Sequence, residues 1–285
     1  MKYAFIRRNL GRFSVALMCR ELNVSRAGFY HWMKRPLSQQ ALHRSLVSQT
    51  VKDLFFQFEK TYGAPRITRE LNQMGIKCSH NYVAQIMKEQ GLKACNGKAF
   101  RYSSYASSML NVSENLLNRN FKAEAPNQKW SADITYINVS GKWIYLAVVM
   151  DLCSRNIVGW AVEKHMTLEL PMQALQMALA RRKVHKGLIV HSDRGVQYRS
   201  NEYRAMLLDY GCRISMSRKA NCWDNAPVES FFSRFKVEFI YQKRFISIDQ
   251  AKSEIFKYIE IFYNRKRKHS ALGYLSPVQF EQLIL

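Results

Sequence analysis

The sequence predicts an α/β catalytic core preceded by all-α units and followed by a basic helical tail. Residues 130–217 alternate β-branched and aromatic runs with helical patterns, whereas residues 13–90 carry helical periodicity throughout. The 44 Lys and Arg against 21 Asp and Glu give a net charge of +23. An excess of this size is typical of a chain that lies along a polyanion, so nucleic acid is the leading partner. The alternative, that basic residues only maintain solubility, is the weaker interpretation.

The first unit, residues 1–60, is predicted to contain a helix-turn-helix and a supporting helix. Its first 50 residues include nine Lys or Arg and a single acid. Two short helices, 13–22 and 25–34, are joined by a turn, and the second would present polar side chains to a DNA groove: Ser25, Arg26, Tyr30 and His31. Phe29 and Met33 would pack inward. A similar helix pair without DNA contact is the alternative.

The supporting helix, 39–58, has an apolar side that includes Leu42 and Leu46. A second helix-turn-helix is predicted over 61–94, with Arg66 and Arg69 on a basic surface. Two tandem units suggest an extended DNA site, because each unit reads only a few base pairs.

Residues 95–128 have little periodicity. They are interpreted as a linker, partly helical over 115–120, which orders on its nucleic acid partner.

The catalytic core is assigned to residues 129–246. Its predicted elements are three strands joined by tight turns, a helix, a strand, a helix, a strand and a final helix. Their ranges are 130–139, 143–150, 156–162, 167–182, 188–191, 201–210, 213–217 and 221–236. This order describes a ribonuclease H-like α/β fold.

The final core helix carries Glu229 in its first turn, with Asp224 or Asn225 as a candidate cap. Lys236 lies seven residues after Glu229 and returns to the same helical face. The tail, 247–285, opens with a capping box, and after its first helix come four consecutive cations: Arg265, Lys266, Arg267 and Lys268. This run is predicted to contact phosphates, although charge runs are often simply solvated.

Three carboxylates are predicted to converge at one edge of the sheet: Asp133 in the first strand, Asp193 at the end of the fourth, and Glu229. Carboxylates brought together would repel, and a divalent cation with oxygen ligands is the usual remedy. Two such ions would suit in-line phosphoryl transfer. Taken singly, each residue has an ordinary alternative as a turn former, a strand-face acceptor or a helix-dipole partner.

Three blocks around these carboxylates closely resemble the catalytic signatures of one family. They are Trp130-Ser-Ala-Asp-Ile-Thr135, His191-Ser-Asp-Arg-Gly195 and Asp224-Asn-Ala-Pro-Val-Glu-Ser-Phe-Phe232, and 35 residues separate Asp193 from Glu229. The chain resembles bacterial insertion-sequence transposases of the OrfB type, with a retroviral-integrase-like DDE core.

The resemblance implies that Asp133, Asp193 and Glu229 bind two ions of Mg²⁺ or Mn²⁺, and that Lys236 contacts the transposon end. It implies strand cleavage followed by attack of a 3′ hydroxyl, on double-stranded DNA, by an assembly of at least two subunits. His191, Arg194 and Asn225 are candidate neighbours of the carboxylates. In this family the chain is often fused by frameshifting to an upstream product, so the resemblance leads us to expect the downstream part of such a fusion or a variant with its own start.

Two other interpretations stay open at this point. One is a non-catalytic DNA-binding repressor derived from a transposase, and the other is a nuclease that does not join strands. The six scattered cysteines predict neither a disulfide framework nor a zinc site, and no apolar run is long enough to cross a bilayer. We therefore expect a cytoplasmic, nucleoid-associated protein with no membrane partner.

Overall fold

The computed structural model describes residues 1–36, 38–95, 111–219 and 221–284. Across these ranges it forms eleven α-helices: α1 Lys2–Arg8, α2 Val15–Glu21, α3 Arg26–Lys34, α4 Gln39–Gln57, α5 Ala64–Gln73, α6 His80–Glu89, α7 Glu169–Arg181, α8 Asn201–Asp209, α9 Ala226–Glu238, α10 Ile248–Phe256 and α11 Pro277–Ile284. The strands are β1 Lys129–Val139, β2 Lys142–Asp151, β3 Ile157–Glu163, β4 Ile189–Ser192 and β5 Arg213–Met216. The predicted order of core elements is confirmed.

The five strands form one mixed sheet in the order β3-β2-β1-β4-β5. β1 pairs antiparallel with β2 along its length, from Trp130 opposite Asp151 to Val139 opposite Lys142. Its parallel pairing with β4 covers only residues 129–131. β1 and β4 therefore diverge just before Asp133, which leaves room at that point for side chains from both strands.

Helices cover both faces of the sheet. On one face, α9, α10 and the π-helical turn Lys257–Tyr263 bury an aromatic-rich core. The apolar stripe predicted for α9 is confirmed, since these side chains are all buried: Val228, Phe231, Phe232, Phe235 and Phe239. On the other face, α7 and α8 pack against residues such as Trp130, Val149 and Val190. Burial on this scale fixes where α9, and with it Glu229, lies relative to the strands.

The helical part forms two packed units. α1, α2 and α3 share a small core of Ile6, Met18, Cys19 and Phe29. α4 packs with α5 and α6 rather than with the first unit. The sequence grouped α4 with the first helix-turn-helix and expected Leu42 and Leu46 on its buried side, but both leucines are exposed because α4 packs through its C-terminal half.

The α4–α6 unit is joined to the end of α9 by buried charged and polar contacts. Arg267 donates to Glu238 at 2.7 and 2.6 Å. Lys268 forms an ion pair with Glu70 of α5 at 3.2 Å, and its backbone N–H donates to the Tyr62 hydroxyl at 2.9 Å. We call these five residues the interdomain cluster.

The segment 111–121 is not helical, contrary to the expectation for residues 115–120. It forms a strap along β5, the edge strand of the sheet. Met216 N–H donates to the Glu114 carbonyl at 3.2 Å, and the Ser215 hydroxyl accepts from Leu116 N–H at 2.9 Å and Leu117 N–H at 3.4 Å. Part of the predicted linker is therefore fixed to the core, while residues 96–110 of that prediction lie outside the described residues.

In the part of the chain described above, no helix has both the length and the apolar character needed to cross a membrane.

Candidate active site and nucleic-acid surface

Asp133 lies where β1 parts from β4. Its side chain is buried, and it accepts a hydrogen bond from Ile134 N–H at 2.8 Å. Burial raises the pKa of Asp133 well above its ordinary value, and the charges of Asp193 and Glu229 raise it further. An ionised carboxylate at this position therefore needs a nearby positive charge.

Asp193 follows directly after β4. Its carboxylate accepts a hydrogen bond from Gly195 N–H at 2.8 Å, and this bond holds the turn formed by residues 193–195. The protein atoms around the carboxyl group replace part of its hydration, and this raises the pKa of Asp193. Arg194, predicted as a neighbour of the site, donates from Nε to the Ser217 carbonyl at 2.7 Å and so ties this turn to the end of β5.

Glu229 occupies the first turn of α9, as predicted. Burial, and next the charge of Asp193, raise its pKa to about 7. The predicted cap is wrong: neither Asp224 nor Asn225 makes a side-chain capping bond to α9. The start of the helix is held by contacts to distant residues instead.

Asn225 makes one of these contacts. Its Nδ2 donates to the Ala132 carbonyl at 3.2 Å, and its Oδ1 accepts from the Ser131 hydroxyl in a short hydrogen bond. Both partners immediately precede Asp133 in β1. Asn225 thereby sets the distance between the strand that carries Asp133 and the helix that carries Glu229.

Lys236 lies on the same side of α9 but is buried rather than presented to solvent. Its Nζ lies 4.4 Å from the centre of the Tyr136 ring. Burial lowers the pKa of Lys236, and the Asp133 charge opposes that shift. Lys236 is thus placed to offset part of the carboxylate charge.

His191 is fully buried in β4. The Ser215 hydroxyl accepts two backbone N–H groups, so its own proton is free for His191 Nδ1 at 2.8 Å, and His191 Nε2 then donates to Ser217 at 3.0 Å. Burial lowers the pKa of His191 to about 4, so the imidazole is neutral. It joins β4 to β5 just before Asp193.

The three carboxylates share one region, since the charges of Asp193 and Glu229 raise the pKa of Asp133 and the charge of Asp193 raises that of Glu229. They do not form a closed ligand set. Within the described residues, no three His, Cys, Asp or Glu side chains lie close enough together to hold a metal ion. Asp133, Asp193 and Glu229 therefore supply three oxygen donors near one edge of the sheet, but not a formed metal site. Further approach requires a cation between them.

Comparison with known proteins gives a consistent result. The integrase core domain family matches residues 123–222, a second integrase core domain family matches residues 229–285, and an HTH-like domain family matches residues 43–99. The chain is 46% identical over 283 residues to Transposase InsF for insertion sequence IS3A of Escherichia coli (strain K12), covering 99% of this chain and 98% of that protein.

The chain belongs to the insertion-sequence transposases.

A further relative of the transposase is the insertion element IS600 uncharacterized 31 kDa protein of Shigella sonnei, 41% identical over 93% of this chain and 97% of that one. Among solved structures, a simian T-cell lymphotropic virus intasome in complex with PP2A regulatory subunit B56 gamma matches at a TM-score of 0.48 and 16% identity, over 75% of this chain and 70% of that chain. The HTLV-2 integrase catalytic core domain in complex with magnesium matches at a TM-score of 0.42 and 16% identity, over 55% and 97%.

The α2–α3 pair of the transposase, predicted to be a helix-turn-helix, lies outside the HTH-like match at residues 43–99. Arg26, Tyr30 and His31 are exposed on α3, and Ser25 caps that helix by accepting from Gly28 N–H at 2.9 Å. Phe29 is buried as predicted, whereas Met33 is exposed because the α1–α3 core is small. The exposed side of α3 remains available to a groove.

The other predicted phosphate contacts divide into exposed and buried residues. Arg69, Arg265 and Lys266 are exposed. Arg267 and Lys268 are buried in the interdomain cluster, so the expectation of a continuous basic surface is corrected for these two.

Arg66 is also withdrawn from solvent by an interdomain contact. Its side chain lies 3.9 Å from Glu238 and over the Tyr62 ring. Its charge therefore faces the interdomain cluster.

Two residues of the transposase site were missed by sequence reasoning. Tyr198 is buried, and its pKa is raised well above the ordinary value by burial and by charges that include Asp133 and Asp193. Among the described residues, its hydroxyl has no hydrogen-bond partner. Asp224 was assigned a role only as a helix cap, and its position at the start of the third signature block did not reveal that it is fully buried between two arginines. The signal in the sequence was that Asp224 directly precedes Asn225, a predicted neighbour of the carboxylates.

Proposed function

We propose that Asp133, Asp193 and Glu229 are the catalytic carboxylates of this transposase, and that they act on the phosphodiester bonds at the ends of a mobile element. The observation that supports this most is electrostatic. The charges of Asp193 and Glu229 raise the pKa of Asp133, and the charge of Asp193 raises the pKa of Glu229, so three acidic groups from two strands and a helix lie within electrostatic reach of one another. A protein gains no stability from such an arrangement, so it indicates a functional site.

The same three residues would hold Mg²⁺ or Mn²⁺. The donor set fits a hard divalent ion, because all three are carboxylates and, among the described residues, Lys236 is the cation whose charge lowers the pKa of Asp133. When bound, the ion would stabilise the attacking and leaving oxygens of phosphoryl transfer. More specifically, we propose two ions in each active site.

The residues around the carboxylates have positioning roles. Asn225 holds Glu229 against β1, Arg194 holds the Asp193 turn against β5, and neutral His191 joins β4 to β5 without adding charge. Lys236 offsets carboxylate charge from within the protein. In this proposal it acts through Asp133 rather than as an exposed DNA contact.

DNA is the partner, and separate groups of residues are proposed to contact its groove and its phosphates. We assign groove contacts to Arg26, Tyr30 and His31, and phosphate contacts to Arg69 together with Arg265 and Lys266. We further propose that at least two subunits act together in the bacterial cytoplasm, one for each end of the element, with an upstream fusion partner supplying additional end recognition.

The decisive experiment uses a labelled duplex carrying the ends of the element that encodes the protein. Wild type with Mg²⁺ is expected to give both cleaved and strand-joined products on a denaturing gel. Glu229→Gln should give neither, while binding the same duplex. Glu202→Gln, in the exposed first turn of α8, is the matched control and should behave as wild type.

Each result has a defined meaning. Cleavage without joining would favour a nuclease. DNA binding without any change to the DNA by wild type would refute the catalytic assignment for this chain and favour a repressor. Equal activity of Glu229→Gln and wild type would refute the assignment of Glu229.

A further inference from the structure

A buried carboxylate lies immediately before α9 and organises the loop that leads into it. Asp224 is fully buried and, from the described residues, accepts five hydrogen bonds. Arg218 donates from its backbone N–H, Nε and a terminal nitrogen at 2.9, 2.9 and 2.7 Å, Arg119 donates from Nε at 3.1 Å, and Asn115 donates from Nδ2 at 2.9 Å. One carboxylate thus fixes two guanidinium groups from distant parts of the chain.

Each guanidinium turns one side to Asp224 and another to solvent. The side chains of Arg119 and Arg218 are 48% and 47% exposed. Two positive charges are set against one negative charge, and exposed Lys219 adds a third positive charge nearby. A planar guanidinium that is held in place presents its remaining N–H groups in the geometry that suits a phosphate.

An aromatic side chain is displayed at the same place. Trp223 adjoins Asp224 in the chain and is 68% exposed. The 3₁₀ turn Cys222–Asn225 that carries it is fixed at Asp224 by the arginines and at Asn225 by β1. Exposing a large apolar surface on a well-anchored turn forgoes the favourable free energy of burying it, so the surface is expected to have a partner.

This surface lies beside the proposed catalytic carboxylates. Trp223 precedes Glu229 by six residues, which corresponds to about 10 Å along a 3₁₀ turn followed by one helical turn. Asn225, between them, contacts the strand residues next to Asp133. A DNA strand whose scissile phosphate lies at the carboxylates would therefore place its neighbouring nucleotides within reach of Trp223.

We propose that Trp223, Arg119 and Arg218 form a strand-holding surface beside the active site. The two guanidinium groups bind a backbone phosphate, and the indole stacks on an unpaired base next to the scissile phosphodiester. Proteins hold single strands by this combination of aromatic stacking and positive charge. The inference rests on the proposed function for the location of the scissile bond, but strand binding itself requires no catalysis.

The test compares two duplexes that carry the ends of the element, one fully paired and one with its two terminal base pairs mismatched. Trp223→Ala is expected to cleave the paired end about 10-fold more slowly than wild type, because stacking no longer stabilises the separated base. On the mismatched end the deficit should shrink to within about two-fold, since separation no longer has to be driven by the protein. Trp223→Phe should retain most of the activity on both.

Tyr241→Ala is the matched control, because Tyr241 is also an exposed aromatic residue, at 60%, beyond the far end of α9. It should cleave both duplexes at the wild-type rate. Arg119→Ala should weaken binding and reduce the slope of log K against log salt by about one, as expected for one lost phosphate contact. Thermal melting of each variant checks that it is folded.

A second readout separates this inference from the proposed function. Anisotropy of the labelled mismatched end, without divalent metal, should show weaker binding by Trp223→Ala than by wild type or Tyr241→Ala. If wild type does not cleave but this difference is present, only the catalytic assignment fails. If wild type cleaves and Trp223→Ala matches it on both duplexes, or has the same deficit on both, the strand-holding surface is refuted.

Discussion

At the scale of a single residue, Glu229 is proposed to act in catalysis, and its ionised form destabilises the folded protein. Its pKa in the folded protein is about 7, against 4.5 for an unperturbed glutamate. Between these values the folded protein binds more protons than the unfolded chain, so the free energy of unfolding falls as the pH rises through this range. Glu229 therefore lowers the free energy of unfolding of the metal-free protein most at and above neutral pH.

Replacing Glu229 by Gln should stabilise the metal-free protein at pH 8. We expect a gain of about 1 kcal/mol, since a half-buried group is partly screened by solvent, and a gain near zero at pH 4.5, where the carboxyl is largely protonated. Urea unfolding at the two pH values measures the difference, with Glu202→Gln as the control. Equal gains at both pH values would contradict the assigned electrostatic cause.

Asp224 is the opposite case, because hydrogen bonds from Arg218 hold the pKa of its carboxyl well below the usual range. Its contribution to stability is present above the unfolded pKa of about 3.8 and is lost as the pH falls through the folded pKa. Asp224→Asn should lower the free energy of unfolding by about 2 kcal/mol at pH 7, because it removes a buried charge that accepts several hydrogen bonds.

Chemical denaturation at pH 7 measures this loss. Exposed Asp209→Asn, at the end of α8, is the control and should change stability little. An Asp224→Asn variant as stable as wild type would show that the arginines find other partners.

Individual residues differed in how far the sequence could place them. The elements that carry Asp133, Asp193 and Glu229 could be placed, because a strand, a strand end and the first turn of a helix are readable from local patterns. The partners of Asp224 could not be assigned, because Arg119 lies 105 positions earlier in the chain and no local pattern links the two. Contacts of this kind depend on the completed fold.

At the scale of elements, the strands and most helices lie close to their predicted ranges, including the short elements β4, β5 and α2. α1 and α11 were not predicted, since a helix of seven or eight residues shows too little of a repeat to be assigned from periodicity alone. α11 is held instead by Glu281, which accepts from Ser154 at 2.6 Å and from Arg182 at 3.0 Å. Because Glu281 is charged, a search for hydrophobic periodicity does not identify it as the residue that anchors α11.

The four-cation run after the π-helical turn shows the same limit. Sequence alone gives no reason why Arg267 and Lys268 turn inward while Arg265 and Lys266 stay exposed. The answer lies in Glu238 at the end of α9 and Glu70 on α5, which supply buried negative charges. The chain following the π-helical turn thereby connects two structural units.

Removing Arg267 should be costly. Arg267→Ala leaves Glu238 buried without its closest cation, and we expect a loss of about 3 kcal/mol in the free energy of unfolding. The double variant Glu238→Leu/Arg267→Met should recover much of this loss, because it removes both charges and keeps apolar volume. Exposed Arg265→Ala is the matched control. Thermal and denaturant unfolding give the values, and equal stability of Arg267→Ala and Arg265→Ala would contradict the role of the ion pair.

At the scale of the whole molecule, the net charge of +23 is not spread evenly over the available surface. Some cations lie in buried ion pairs, and the α1–α3 unit displays several of the exposed ones. Composition alone indicated nucleic acid as the partner, but it could not separate exposed cations from buried ones.

Salt dependence of DNA binding tests this division. Arg26→Ala should weaken binding and lower the slope of log K against log salt by about one, because Arg26 is exposed on α3. Arg213→Ala is the control, since Arg213 is exposed at the start of β5, at the opposite end of that strand from the carboxylates. Titrations at several salt concentrations measure both slopes. Equal slopes for the two variants would refute DNA contact by α3.

The strap over β5 also determines where the catalytic half of the molecule can be separated from the rest. Backbone groups of an uncovered edge strand invite pairing with another chain. A fragment that starts at the first strand, near Lys129, would lose Glu114, Leu116 and Leu117 and leave β5 open to such pairing. A fragment that starts at Asn111 keeps its own cover, so the smallest well-behaved catalytic piece begins well before the first residue of the sheet.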